Sequence, residues 1–439
     1  MYRPVTLVLN LIAICLSTIG QAQQFSMKQC LEYAELHNPE LLLQGSRLST
    51  AELESKAVKS RFLPKLEGSA ALYHYWQIPV QVFPGQLLGQ PEGSYVPVRL
   101  GTPWTGSYGV DATFDLLDAS SWQQLRLKAL QKQLVGSEWS SLKGELFKNV
   151  QMAFWTAQLS RMNVASTTQQ YLDYQESHRL ISAQFEKGVT DKITVNQSAN
   201  IMRNLNETVN KAESDFRLAL LDLKFWMRYP MSDSILIDRS ESFSFGDTVS
   251  GPFDPKLLPD DEAYLLKTEI VGRQYSLARS EWYPKLSLIS GYSRLGFGQK
   301  FDFISNSGWF SSGFVGLKLN IPILDLNKMV FEPKRQKMMM KTTQLERLQY
   351  QQEQRRVWLR EEILLKEAIN SVAVQEENLD SARENQQLSE KKLKNGIISV
   401  IELKQLQDEL SQVQGKLNSA KLEYLKHYIE LHHLQNNQQ

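Results

Sequence analysis

The sequence predicts a mainly α-helical protein with a small β part, and three observations lead there. Two tracts free of proline, one between Pro103 and Pro230 and one after Pro333, are interrupted only by scattered glycines. Proline is excluded from helix interiors, so both tracts read as very long helices. Four short segments alternate apolar and polar residues with a period of two, the pattern of strands. The two halves of the chain also echo each other in order and spacing, which marks a duplicated structural unit.

The chain of 439 residues opens with an export signal. Residues 1–22 carry Arg3, an apolar run from Val5 to Leu16 and a small-residue exit at Gly20-Gln21-Ala22. Beyond it, no run approaches the ~18 apolar residues a membrane helix needs. With 49 basic and 48 acidic residues the net charge is +1, which gives no general attraction to nucleic acid. Of the 2 cysteines, Cys15 falls in the signal, so Cys30 has no partner for an internal disulfide and reads as a small packed residue.

Residues 23–228 form the first repeat, 229–257 a linker and 258–439 the second repeat. Arg61-Phe62-Leu63-Pro64-Lys65-Leu66 is echoed by Glu281-Trp282-Tyr283-Pro284-Lys285-Leu286, and the strand exit at Asp118 by that at Asp325. Phe185-Glu186-Lys187-Gly188 is echoed by Leu393-Lys394-Asn395-Gly396. From Ala119 and from Leu326 to these glycines run about 67 residues each, or ~100 Å of helix. Such rods must lie side by side as coiled coils. Gly188 and Gly396 sit at the reversals, where a residue with positive φ lets a helix end. In the last returning helix, Leu403, Leu406, Leu410, Val413, Leu417, Ala420, Tyr424, His427, Leu431 and Leu434 alternate three- and four-residue steps, a coiled-coil seam with one polar break at His427. The same seam recurs 208 residues earlier, from Val195 to Trp226.

The strand pairs are expected at 65–75 with 106–116 and at 285–295 with 312–321. Val110, Phe114, Val315, Leu317 and Leu319 share the apolar side of their strands, whereas Asp111, Thr113, Asp115, Lys318 and Asn320 share the polar side. Such two-faced strands suit a soluble sheet or a membrane barrel wall. Lengths near ten residues and long connecting loops at 76–105 and 293–312 favour the barrel, with the apolar set facing lipid and the polar set facing the lumen. The five prolines of residues 76–105 argue against regular structure there. Four strands cannot close a barrel, since the smallest have about eight, and an open edge in lipid leaves peptide groups unpaired. Several chains must then share one barrel; three would give twelve strands.

No catalytic or cofactor constellation is found. HExxH, P-loop, GxSxG and CxxC motifs are absent. His432 and His433 diverge around a helix and do not suit a shared metal, and Met338-Met339-Met340 read as packing. Asp260-Asp261 and Glu361-Glu362 read as solvated faces or loops.

Ala34 to Leu41 (A-E-L-H-N-P-E-L), the two Pro-Lys-Leu strand entries, the aspartate strand exits and the two reversal glycines, in this order and duplicated, resemble the TolC-like family of outer-membrane efflux and secretion channels. The resemblance covers nearly all of the mature chain. It implies a homotrimer with a twelve-stranded β-barrel in the outer membrane of a Gram-negative bacterium and an α-barrel reaching into the periplasm. The function it implies is passive export, with a periplasmic membrane-fusion adaptor and an inner-membrane pump of RND, ABC or MFS type. It also implies acids at a closed tunnel tip, six and nine residues after the second reversal glycine. Those positions hold Glu402 and Gln405, so one of the two acids is kept; the first-half counterparts are Thr194 and Gln197, with Asp191 nearby. Adaptor docking is expected at Gly188, Val189, Thr190, Gly396, Ile397 and Ser399. The competing reading is a soluble periplasmic coiled-coil adaptor, which explains the heptads but not the duplicated two-faced strands.

Overall fold

The computed structural model describes residues 24–437 except 242, 250, 302–308 and 395–396. The export signal and Gly396 lie outside the described residues.

In chain order the elements are β1 (Gln24–Phe25), α1 (Met27–His37), α2 (Pro39–Lys59), β2 (Lys65–His74), β3 (Val80–Pro84), β4 (Tyr95–Arg99), β5 (Trp104–Leu117), α3 (Ala119–Glu186), α4 (Lys192–Met227), β6 (Leu236–Ile237), α5 (Pro259–Ser280), β7 (Lys285–Gly298), β8 (Trp309–Asn320), α6 (Glu332–Lys394) and α7 (Val400–Asn436). Helix α3 has 68 residues and α6 has 63. Local chemistry sets the ends. The Asn38 side chain accepts from the N–H groups of Glu40 and Leu41 at 2.9 and 3.2 Å, and Pro39 occupies the first helical position, where its missing N–H costs nothing. Asp118 accepts from the Ser120 N–H at 3.0 Å to start α3. Asp325 does the same for Lys328 at 3.2 Å, ahead of a π-helical turn, Asn327–Phe331, that leads into α6. The paired aspartates of the repeat are therefore helix caps.

The chain divides into two compact units. One comprises Met1–Arg47, Val135–Tyr264 and Glu346–Gln439, the other Leu48–Leu134 and Leu265–Leu345, so each holds pieces of both sequence halves.

The first unit is helical. One core packs Cys30, Ala34, Val150, Phe154, Leu223 and Met227 beneath Phe25 and Ile237 of the parallel β1–β6 pair. Burial pushes the Cys30 thiol up to about 12, in keeping with a packed, inert residue. A second core packs Trp358, Leu365 and Val372 of α6 against Leu410, Leu417, Tyr424 and Leu431 of α7. The linker docks on it through Phe253, stacked on Trp358 at 4.6 Å, and through the Asp247 carbonyl, which accepts from the Tyr424 hydroxyl at 2.9 Å. Of the ten seam positions in α7, eight are buried and two, Leu406 and Val413, half-buried; in α4 none of the ten is exposed.

Two acidic pairs read as solvated differ in the structure. Asp261 is 1% exposed, and its carboxylate accepts from Arg347 at 2.7 Å and from the Gln351 amide at 2.7 Å. Glu361 is buried against His427, with Oε2 2.5 Å from Nδ1. The polar break in the α7 seam is thus one half of a buried pair whose other half lies on α6. Sequence spacing along one helix carries no sign of a partner on another.

The second unit holds an antiparallel sheet in the order β2-β5-β7-β8, so the two sequence halves meet at the β5–β7 pairing. The strands exceed the expected bounds by two to three residues at the loop ends of β5, β7 and β8. The proline-rich loop also carries a regular element, the β3–β4 hairpin, with Pro84 and Pro97 in its strands. Both strands of an isolated pair have a free edge, which tolerates a residue with no N–H.

Arg347→Ala removes the cation that faces a fully buried carboxylate. Loss of one partner of a buried pair costs about 3 kcal/mol, so thermal unfolding of the variant should start at lower temperature than wild type, with Arg347→Lys intermediate.

Candidate functional site

The strand register sorts the sheet into two faces. One row aligns Leu66, Ala112, Ser290 and Val315; the next on that side aligns Phe114, Leu288 and Leu317, followed by Leu286 with Leu319. Val110 stands on this side too, beside Gly68 and Tyr292. Leu66, Val110, Val315, Leu317 and Leu319 are all exposed, an apolar surface far broader than scattered surface leucines. The other face carries Lys65, Glu67, Asp111, Thr113, Asp115, Lys285, Lys318 and Asn320. There Asp115, Ser287 and Lys318 form one row, and the Ser287 hydroxyl donates to Asp115 at 2.7 Å. The register thus groups the residues singled out from each pair of strands, which alternation alone could not do across the repeat. Phe314 falls on the polar face as well, over Gly291, where a Cβ would stand 2.6 Å from both the Asp111 carboxylate and the Phe314 ring. The outer edges of β2 and β8 have no partner strand among the described residues.

The helix reversals form the second cluster. Gly188 takes φ +73°, and the Val189 N–H donates to the Gln184 carbonyl at 2.9 Å, closing the end of α3. The Ile397 N–H donates to the Lys392 carbonyl at the same distance, and these residues lie 208 positions later. The starts of the returning helices match in the same way. Asp191 caps α4, accepting from the Thr194 N–H at 2.7 Å. Ser399 caps α7, accepting from the Glu402 N–H at 3.2 Å, while the Glu402 carboxylate accepts from the Ser399 N–H at 2.7 Å, a reciprocal capping box. Asp191, Thr194, Ser399 and Glu402 therefore each serve a helix start. These hydrogen bonds hold both carboxyls below their ordinary range, through the Thr194 N–H for Asp191 and the Ser399 N–H for Glu402. Gln405 is exposed three residues further along α7.

The second tip packs on the first: Val400 and Leu403 are buried with Tyr174, Ile181, Ile201 and Leu205. Val189 and Ile193 on one tip, and Ile397 and Ile401 on the other, remain exposed. They are two equivalent pairs 208 residues apart. Ile193 and Ile401 escaped the sequence reading, although the repeat offset would have paired them. Among the described residues, no group of three or more His, Cys, Asp and Glu side chains is placed to hold a metal ion, and no helix is long and apolar enough to cross a membrane.

A carboxylate with a depressed folded pKa contributes stability above its unfolded value, and the contribution is lost as pH falls through the folded pKa. Acidification below the usual carboxylate range should therefore loosen both tips first, seen as faster limited proteolysis near residues 187–192 and 395–400. Glu402→Gln should keep the second cap at low pH, because glutamine also completes a capping box, whereas Glu402→Ala should fray it at every pH.

Comparison with known proteins follows the same lines. Residues 266–437 match the sequence profile of the outer membrane efflux protein family. No curated protein matches the chain in sequence. Among solved structures, CusC is 15% identical, with a TM-score of 0.74 over 93% of this chain and 91% of its own; its structures concern transmembrane channel formation. The CmeC outer membrane channel of Campylobacter jejuni is 14% identical, with a TM-score of 0.69 over 94% of this chain and 85% of its own. The open-state MtrE outer membrane channel of Neisseria gonorrhoeae is 11% identical, with a TM-score of 0.72 over 93% and 88%. At such identities the structural likeness carries the fold, while the profile match relates residues 266–437 to the family. Residues 266–437 thus resemble the outer membrane efflux proteins in sequence, and nearly the whole chain shares the fold of outer-membrane channels of solved structure.

Proposed function

We propose that three copies of this chain join their sheets into one twelve-stranded barrel that serves as a passive export duct through the outer membrane. The observation that carries this reading is the four-stranded sheet with one charged face, one apolar face and two unpaired edges. Strand directions alternate from β2 to β8, so β8 of one copy meets β2 of the next in antiparallel sense and the pattern continues around a ring. The exposed side of α6 supports the same assembly. Leu348, Leu359, Ile363, Val374 and Leu388 lie near whole helical turns from one another and stand uncovered within the chain.

In this reading residues 23–228 and 258–439 are the two repeats, joined by the linker 229–257, and the helical hairpins lie in the periplasm. The exposed pairs Val189 with Ile193 and Ile397 with Ile401, beside Gly188, Thr190, Gly396 and Ser399, dock a periplasmic adaptor. An inner-membrane pump of RND, ABC or MFS type drives transport, and the duct itself performs no chemistry. Glu402 and Gln405, with Asp191 and Thr194, border the closed tip, and adaptor docking shifts a two-state opening there.

Cell fractionation followed by mass measurement in mild detergent tests the assembly: an outer-membrane species of three chains is expected. A soluble periplasmic monomer would favour the coiled-coil adaptor instead. Leu317→Asp and Val315→Asp should block insertion, since a charge on the lipid side of a barrel costs a few kcal/mol near the midplane. For the gate, Glu402→Gln removes charge while keeping the cap. Raised single-channel conductance in that variant supports a charged gate; unchanged conductance, with an effect of Glu402→Ala alone, leaves Glu402 as a cap only.

A further inference from the structure

Along the strands of the four-stranded sheet, the apolar face carries one residue with a permanent charge, Arg294. The register places it in a row with Ala70, Tyr108 and Ser311, on the side of Val110, Leu317 and Val315. It sits on β7, an inner strand, so no join between copies covers it. From Lys285, at the helix end of β7, nine residue steps lead to Arg294. At ~3.4 Å per step and a tilt of ~40°, the rise is about 23 Å, close to the ~25 Å height of an apolar barrel band. Arg294 therefore stands where the apolar wall ends, toward the long loops.

Its surroundings are aromatic and hydroxylic. The rings of Tyr108 and Trp309 lie 5.1 Å apart, and the indole lies across Gly296, where a Cβ would come within 2.9 Å of it. The Tyr292 hydroxyl donates to the Ser311 hydroxyl at 3.3 Å. The Nε of Arg294 is buried and makes no hydrogen bond within the described residues. With Nε enclosed and the side chain half-buried, the terminal Nη groups are the part of the guanidinium left to meet an anion at headgroup depth.

We propose that Arg294, with Ser311 and Tyr292, holds the phosphate of an outer-leaflet lipid against the barrel wall. The guanidinium supplies the charge-assisted hydrogen bonds, and the hydroxyls supply a neutral donor. Tyr108 and Trp309 pack beside the acyl–headgroup boundary and fix the lipid's depth. The charge is then paired at the point where an unpaired arginine would otherwise meet hydrocarbon.

The proposal rests on the apolar face meeting lipid, and the test separates the two. The full-length protein is assembled in phosphatidylcholine nanodiscs seeded either with diphosphoryl lipid A or with the same lipid stripped of both phosphates. Lipid retained on repurification is then quantified by mass spectrometry. Wild type should retain the phosphorylated form about tenfold over the stripped one, equivalent to ~1.4 kcal/mol. Arg294→Gln should bring that ratio near one, and Arg294→Lys should keep most of it. A wild-type ratio near one overturns the proposal, as does release of the lipid by an equal concentration of inorganic phosphate, which would mark a general anion site. Membrane insertion of Leu317→Asp is scored beside it. Normal insertion of that variant defeats the lipid-facing reading itself. Blocked insertion, together with wild-type lipid retention in Arg294→Gln, defeats the phosphate site alone.

Discussion

Backbone hydrogen bonds at the two outer edges of the sheet are the constraint on which the rest of this molecule depends. Among the described residues of the sheet, β5 and β7 have partners on both sides, while β2 and β8 have one each. In water the free edges would be solvated. In the proposed barrel, where the apolar face meets hydrocarbon, they would not, and each unpaired peptide group there costs several kcal/mol. The same strands offer Asp111, Asp115 and Lys318 on their other face, which needs water. In the proposed assembly of three copies, such a sheet is one third of a closed wall.

The helices answer a related constraint. A rod of 68 residues cannot bury itself and must find partners along its whole length. In the helical unit the partners are the returning helices, with apolar seams at three- and four-residue steps. The buried pair of His427 with Glu361 interrupts the α7 seam, and the buried Asp261 of α5 pairs with Arg347 of α6. Each joins a position on one helix to a single position on another, so a helix that slipped by a turn would strand a buried charge. Such pairs fix register, while the leucines around them supply the attraction. At the tips the economy is different. Asp191, Ser399 and Glu402 hold the helix starts through local hydrogen bonds, leaving the neighbouring aliphatic residues free for contacts outside the chain.

Much of this was legible in the amino-acid sequence, because it depends on local rules. Proline-free length gave α3 and α6, alternation gave the four strands, and Gly188 marked a reversal because positive φ there needs glycine. The duplication made each reading count twice. The site residues were legible as types but not as neighbours. Asp115 and Lys318 are far apart in sequence and share a row only because β7 pairs with both of their strands. Glu402 was expected by resemblance as a tunnel-tip acid, and in the structure it completes the helix cap with the preceding Ser399. That S-x-x-E pattern was present in the sequence and carried a structural explanation as complete as the functional one.

By itself, then, the sequence determined the inventory: two halves that echo each other, their long helices and four two-faced strands. Tertiary structure decided the pairings. The β5–β7 join between halves, the burial of Asp261 and Glu361, the common face of the apolar strand residues and the place of Arg294 on that face all follow from register between distant segments. Register is set by summed packing and hydrogen bonding across elements, and no single segment encodes it. A period of two tells which residues of one strand share a side; only the neighbouring strand tells which side of the sheet that is.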